Sequence, residues 1–243
     1  MHSTFSKNGF GTLYFIPVTM GADNVSLVLP PDVINIAQGI DEFIVENEKT
    51  ARHFLGAIRH TKPIREIVLK PLNKHTDDKD IPKLLSTLIT GKDVGLMSEA
   101  GCPGIADPGA KLAALAHKKG IRVAPLVGPS SILLSLMASG LNGQRFTFVG
   151  YLPLDKSARV QQLKQLEQRA KAHNETQIFI ETPFRNQHML ADILSHCKDD
   201  TLLCIACNIT LPEEFIVTKS IANWRQENHP DLHKKPTVFL LLA

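Results

Sequence analysis

The sequence predicts an α/β fold made of two α/β domains. Short apolar runs alternate with longer amphipathic stretches, which is the pattern of strands and helices packed in layers. At 243 residues the chain is long enough for one large domain or two small ones with their own cores. The order of strand and helix patterns along the chain changes near residue 125. We therefore expect an N-terminal domain at residues 1–125 and a C-terminal domain with a mixed sheet at residues 126–243.

The first domain is predicted to be one parallel α/β unit, because strand and helix patterns follow each other in turn. Residues 80–90, for example, carry apolar side chains such as Ile81 and Leu84 at helical spacing. The next helix is expected to end at Gly120, a residue type that accepts the positive φ common at helix ends. The predicted strands are residues 12–18, 42–47, 66–72, 93–98 and 121–128, and the predicted helices are residues 49–59, 80–90 and 110–119.

The second domain shows a different order of elements. After a helix at residues 130–139, several strand candidates are joined by short turns, which favours a mixed sheet. The predicted strands are residues 145–152, 176–182, 202–209, 214–221 and 237–243, and the predicted helices are residues 158–173 and 185–196.

Composition and charge exclude several classes of protein. No apolar run approaches the roughly 18 residues of a membrane span. The N-terminus does not have the pattern of a signal peptide, so a cytoplasmic location is expected. The net charge of +3 allows an anionic partner without demanding one, because the basic residues are scattered apart from small clusters at residues 117–119 and 233–235.

The four cysteines do not predict a metal site. Cys204 and Cys207 form a CxxC motif, but it lies in the apolar segment LLCIACNI, and no second CxxC accompanies it. Reduced thiols fit the expected cytoplasmic location.

Two loops carry the strongest functional signal. MSEAGCPGIADPG at residues 97–109 is rich in Gly and Pro and follows a predicted parallel strand, at the edge where open α/β sheets bind ligands. LVGPSS at residues 126–131 ends the next strand and opens a helix. We expect the two loops on neighbouring strands to face one small molecule; the alternative is that both are only tight turns. Glu99 and Asp107 suit a ribose diol or an ammonium group, although Asp107 could equally cap a helix.

The common nucleotide and hydrolase motifs are absent. The sequence has no GxxxxGK[ST] loop, no GxGxxG after a first strand and no GxSxG. A P-loop enzyme, a common Rossmann protein and a serine hydrolase are therefore not predicted.

The two loops carry a resemblance to a known family. VGLMSEAGCPGIADPG, followed by GIRVAPLVGPSSILLSLMASGL and RFTFVGYLP, resembles the tetrapyrrole methylase superfamily. Within it, the chain is most similar to the branch of ribosomal RNA small-subunit methyltransferases that 2′-O-methylate a cytidine ribose. The resemblance implies S-adenosylmethionine as methyl donor, a cleft between two α/β domains, and a homodimer. The positions matched to donor binding are Pro17, Ser98, Glu99, Ala100, Gly101, Cys102, Pro103, Ile105, Asp107, Gly128, Pro129, Ser130 and Ser131.

The matches are poorer on the side expected to bind the acceptor. Glu46 is retained in VENEKT, and Glu181 and Arg185 are retained in IETPFR. Several polar residues of the branch pattern are replaced, which removes possible proton acceptors and bidentate contacts. An altered substrate or a weaker activity therefore stays open. The replacements are Val18 for Thr, Ala22 for Asn, Asn47 for Asp, Lys49 for Arg, Phe184 for His, Asn208 for Glu and Leu211 for Lys.

The function predicted from the resemblance is methylation of a ribose 2′-hydroxyl in small-subunit ribosomal RNA. Glu46 and Glu181 are the candidates for accepting the proton or positioning the acceptor, and Arg185 for orienting the substrate or its phosphate. The alternatives for these residues are solvated or capping carboxylates and a simple Glu181–Arg185 pair. The alternative functions are methylation of a tetrapyrrole or another small molecule, and donor binding without catalysis. No metal and no membrane partner are expected.

Overall fold

The computed structural model describes residues 9–21 and 24–243. The expectation about the N-terminus rests largely on residues 1–8 and one replacement on Ala22, and these positions lie outside the described residues. The chain divides into two compact units, Met1–Ser130 and Ser131–Ala243. The described residues contain no helix long and apolar enough to cross a membrane.

The first unit is built on a five-stranded, all-parallel sheet with the order β3-β2-β4-β1-β5. Neighbouring residues of one strand face opposite layers of core: Phe43 and Val45 pack with helices α1 and α2, and Ile44 packs with α4. Both faces are therefore covered, as expected of a parallel sheet. The elements are β1 (Thr12–Phe15), α1 (Pro31–Gln38), β2 (Glu42–Val45), α2 (Glu48–Ala57), β3 (Val68–Pro71), α3 (Ser86–Ile89), β4 (Val94–Met97), α4 (Ala110–Lys118) and β5 (Arg122–Pro125).

Three details of this unit differ from the sequence-based expectations. Helix α1 was not predicted; it opens on Pro31, whose fixed φ suits the first helical position, but β-branched residues follow that lower helix propensity. The helix expected at residues 80–90 is a 3-10 helix, Ile81–Leu85, followed by the short α3. The strands that carry the two loops are not neighbours, because β1 lies between β4 and β5 and pairs with both.

The second unit holds a mixed five-stranded sheet with the order β6-β7-β10-β8-β9. Strands β6 and β7 are parallel, and the remaining pairs are antiparallel. One face packs against α6, α7 and α8, and α5 packs on β8, β9 and β10. The elements are α5 (Ser131–Ser139), β6 (Phe146–Tyr151), α6 (Lys156–His173), β7 (Thr176–Ile180), α7 (Asn186–His196), β8 (Leu202–Cys207), β9 (Phe215–Ser220), α8 (Ile221–Gln226) and β10 (Thr237–Leu242).

Two features of the second unit follow from single side chains. Helix α8 begins where a strand was expected to end, because the Ser220 hydroxyl accepts a hydrogen bond from the Asn223 amide and caps a new helix. Cys204 and Cys207 are both buried on β8. Three residues apart on a strand, they point to opposite faces of the sheet, so they do not form a chelating pair.

Candidate functional site

The two glycine-rich loops meet at the carboxyl edge of the first sheet, although their strands are not neighbours. The end of β1 joins them: the Val18 amide donates to the Gly101 carbonyl at 3.0 Å. The Cys102 thiol then donates to the Pro129 carbonyl at 3.2 Å. Residues from the ends of three strands therefore form one continuous surface, which is the arrangement expected of a ligand-binding edge.

Glycine is required at two positions of this contact. Gly101 has a φ of +68°, in the left-handed region that other residues enter at a cost. Gly128 lies so close to Pro17, two residues after β1, that a Cβ atom there would stand 2.2 Å from the Cβ of Pro17. The second loop can approach the first only because residue 128 has no side chain.

Four carboxylates line a cleft of about 690 Å³ beside the first loop, and three of them, Glu46, Glu99 and Asp107, lie together. Glu46 follows β2, and its Oε2 accepts a hydrogen bond from the Glu99 amide at 3.1 Å. Burial raises the pKa of Asp107 to about 6; the negative charges of Glu46 and Glu99 add to this rise, and a hydrogen bond from Ser98 opposes it. The structure thus gathers Glu46, Glu99 and Asp107 at one place, within the size range of small-molecule sites.

Asp107 does not cap helix α4. The N-cap residue of that helix is Gly109, and no side chain makes a capping hydrogen bond there. Because the capping alternative is not observed, the Asp107 carboxylate is left to face the cleft.

The remaining candidate residues divide between the two units. Ile105 is an exposed apolar side chain in the first loop, and Ser131 is the first residue of α5. Glu181 and Arg185 follow β7 in the second unit, so the structure does not assemble them with Glu46 in one unit. The candidates that lie in the first unit are Pro17, Glu46, Ser98, Glu99, Ala100, Gly101, Cys102, Pro103, Ile105, Asp107, Gly128, Pro129 and Ser130.

Glu181 and Arg185 form a largely buried ion pair. The Arg185 Nη2 lies 3.3 Å from the Glu181 Oε2, and the second carboxylate oxygen accepts the Thr182 amide at 2.7 Å. The Glu181 side chain is 2 % exposed and that of Arg185 is 26 % exposed. Arg185 also reaches the Leu154 carbonyl at 3.4 Å. The simple pairing considered as an alternative is therefore present, and a role for the pair in chemistry stays a prediction.

The family model described as "Tetrapyrrole (Corrin/Porphyrin) Methylases" matches residues 13–224. The chain belongs to the tetrapyrrole methylase family. It is therefore a methyltransferase. It is similar to the "Ribosomal RNA small subunit methyltransferase I" of Xylella fastidiosa, with 28% identity over 96% of this chain and 81% of that protein. The protein of the same name in Escherichia coli O157:H7 is 30% identical over 87% of this chain and 70% of its own length.

Solved structures agree with the tetrapyrrole methylase fold. The methyltransferase CobJ superposes with a TM-score of 0.62 at 18% identity, covering 97% of this chain and 94% of CobJ. The cobalt precorrin-4 methyltransferase CbiF gives a TM-score of 0.58 at 15% identity, with coverages of 95% and 94%. These neighbours confirm the predicted fold class.

Sequence reasoning missed part of the cleft in this tetrapyrrole methylase. The loop after β3 contributes Asn73, Lys74, His75 and Asp78 to its lining. Lys111, on α4, closes the same side through an ion pair with Asp78 at 2.6 Å. The signal was available, because in a parallel sheet the end of β3 must lie at the same edge as the ends of the other strands.

The Glu181–Arg185 pair gives an asymmetric stability prediction. Arg185→Ala leaves a buried carboxylate without its cation, so we expect the free energy of unfolding to fall by about 3 kcal/mol. Glu181→Gln leaves a guanidinium that water can reach, so we expect a loss of about 1 kcal/mol. Urea unfolding of both variants measures the difference. Equal losses, or a larger loss for Glu181→Gln, would contradict this account of the pair.

Proposed function

We propose that this methyltransferase transfers a methyl group from S-adenosylmethionine to a cytidine ribose 2′-hydroxyl of small-subunit ribosomal RNA. Two observations carry the proposal: the two glycine-rich loops are in contact, and Glu99 and Asp107 of the first loop line a cleft together with Glu46. The names of relatives that match over nearly the whole chain support RNA as the acceptor.

The residues present suit the proposed donor. S-adenosylmethionine carries a sulfonium, an ammonium and a ribose diol, and carboxylates complement all three groups. Glu99 and Asp107, which line the cleft, would hold these groups. The exposed Ile105 would contact the adenine. Loop residues 128–131 would meet polar groups of the donor with their backbone and hydroxyl groups. When bound, the donor supplies an electrophilic methyl group.

The chain then has to hold the acceptor hydroxyl in line and remove its proton. Correct placement alone accounts for about 7–11 kcal/mol of the barrier in well-oriented reactions. A carboxylate that accepts the proton adds to this, since a neutral hydroxyl is a weak nucleophile. We propose Glu46 for this step because it faces the cleft, with Glu181 as the second candidate and Arg185 as the group that orients the acceptor phosphate.

We also propose a cytoplasmic homodimer. In the second unit, the exposed side chains of Leu133 and Met137 stand out from α5. Met137 also lines an apolar pocket of about 320 Å³ with Ile209 and Ile216. Exposed apolar surface of this kind is typical of an interface between subunits. Sedimentation of the purified chain tests the dimer.

Transfer of labelled methyl tests the function directly. Small ribosomal subunits from a strain lacking its own cytidine 2′-O-methyltransferase are incubated with the chain and labelled S-adenosylmethionine, followed by nucleoside mapping. We expect label on one ribose, and a loss of at least a hundredfold in the rate with Glu46→Gln. Donor binding by calorimetry without label on any RNA would refute the RNA acceptor, and precorrin-like compounds would then be screened.

A further inference from the structure

An exposed aromatic ring next to the Glu181–Arg185 pair is not explained by packing. Phe184 is 64 % exposed. It lies in the sequence between Glu181 and Arg185, whose side chains are 2 % and 26 % exposed. The ring is nevertheless held in place. Its edge-to-face contact with His233 has a centroid distance of 6.1 Å, and the Lys234 Nζ lies 5.8 Å from the ring centroid.

The backbone brings the two segments together at some cost. The Lys234 amide donates to the Pro183 carbonyl at 3.0 Å, which ties residue 234 to the turn after β7. Lys234 adopts a φ of +59°, in the left-handed region that non-glycine residues disfavour. This conformation keeps the ammonium group beside an exposed ring.

Lys234 supplies a positive charge beside the ring that a ligand can use, because the neighbouring cations are paired. Lys235 is paired with Asp231 at 3.2 Å, and the amide of His233 donates to the same carboxylate. Arg185 is paired with Glu181. Among the described residues, none of the carboxylates forms an ion pair with Lys234. A cation without an acidic partner next to a flat apolar ring complements a group that combines a planar base with a phosphate.

A second cation–aromatic contact in the same unit shows the difference. Lys219 lies over Trp224 at 5.2 Å, but Trp224 is buried and its indole N–H donates to the Leu203 carbonyl. That ring belongs to the core and offers no free face. The Phe184 ring does, and it stands where the related branch has a histidine in its YEAPHR pattern, so this chain keeps a flat ring there without a titratable group.

We infer that Phe184, His233 and Lys234 form a stacking platform for one unpaired RNA base, with the Lys234 ammonium contacting the adjacent phosphate. The inference rests on the proposed RNA acceptor and names the contact that would present it. Single-stranded RNA is recognised in this way in general, by stacking of bases on aromatic side chains and by lysine contacts to phosphates. The platform adjoins Glu181 and Arg185 in sequence and in space, so a base stacked there would be bound beside the residues proposed to meet the acceptor.

Binding of a fluorescently labelled single-stranded RNA of about ten nucleotides to the full chain tests the platform. We expect Phe184→Leu, which keeps an apolar side chain but removes the π face, to weaken binding about tenfold. Phe184→Trp should bind within about twofold of the parent chain. Lys234→Gln should lower the slope of log K against log salt by about 0.7. The matched control is Phe146→Leu, because Phe146 is also exposed (40 %) but lies at the opposite end of the sheet, and it should bind as the parent chain does.

The outcomes separate the platform from the proposed function. Equal binding of Phe184→Leu and the parent chain, in a variant with an unchanged circular dichroism spectrum, would overturn the platform. Equal loss in Phe146→Leu would do the same, since it would show a general effect of removing surface rings. Phe184-dependent RNA binding without methyl transfer would support the platform and refute the function. Methyl transfer whose KM for RNA is unchanged in Phe184→Leu would support the function and refute the platform.

Discussion

Replacing Gly128 by alanine is expected to weaken binding of S-adenosylmethionine by about five- to a hundredfold. The new Cβ would stand 2.2 Å from the Cβ and 2.6 Å from the Cγ of Pro17. A proline ring cannot rotate away, so the second loop has to move as a whole. That movement displaces the Pro129 carbonyl, which accepts the Cys102 thiol, and so disturbs the first loop as well. If donor binding needs the original loop geometry, restoring it against this clash costs about 1–3 kcal/mol, which corresponds to roughly a five- to hundredfold loss of affinity.

Titration calorimetry measures the affinity of Gly128→Ala for S-adenosylmethionine, at a temperature well below the midpoint of thermal unfolding. Overpacking itself should cost about 1–3 kcal/mol of stability, so the variant is first shown to be folded by circular dichroism. Gly143→Ala is the matched control, because a Cβ at residue 143 would meet nothing within 4 Å. Donor affinity equal to that of the parent chain would contradict the contact between the two loops as the basis of donor binding.

The fold was predictable where burial leaves a continuous signal in the sequence. Strand β4 is buried along its whole length, so its sequence is an apolar run, and the glycine-rich segment after it indicates a loop. The order of strands was not predictable in the same way, since pairing of β1 with both β4 and β5 depends on contacts distant in sequence. The two loops still meet, because the end of β1 links them.

The candidate site shows the same division. The glycine-rich character of both loops is visible in the sequence, whereas the contact of Cys102 with Pro129 joins residues 27 positions apart. The grouping of Glu46, Glu99 and Asp107 is not visible in the sequence, because it needs β2 and β4 to be neighbours. The lining loop after β3 was missed for a related reason: its polar residues look like an ordinary solvated turn until the sheet places them at the ligand edge.

Replacing Asp107 by asparagine is expected to stabilise the protein above pH 6 and to weaken donor binding. The pKa of Asp107 rises from 3.8 to about 6 on folding, chiefly through burial and then through Glu46. The folded state therefore binds this proton more tightly than the unfolded state does. Stability contributed by the neutral carboxyl is present at pH 4 and is lost as the pH rises through about 6.

The asparagine side chain does not ionise, so it avoids this loss. Two pKa units correspond to just under 3 kcal/mol, and partial exposure of Asp107 reduces the expected gain at pH 8 to about 1 kcal/mol. No gain is expected at pH 4. Urea unfolding at pH 4 and at pH 8 measures the gain in stability. The control is Asp200→Asn, which makes the same change in charge at an exposed position. A gain at pH 4 equal to that at pH 8 would contradict the assigned cause.

The same substitution removes the negative charge that we propose for holding the donor. A hydrogen bond to a charged group contributes about 1.5–3 kcal/mol, so donor affinity should fall at least about tenfold at pH 8. A gain in stability together with a loss of donor affinity is expected of a carboxylate that binds the donor but destabilises the folded protein. A solvated surface carboxylate would change neither quantity, and a purely structural one would lower stability when replaced. Calorimetry and unfolding on one variant therefore distinguish the three roles of Asp107.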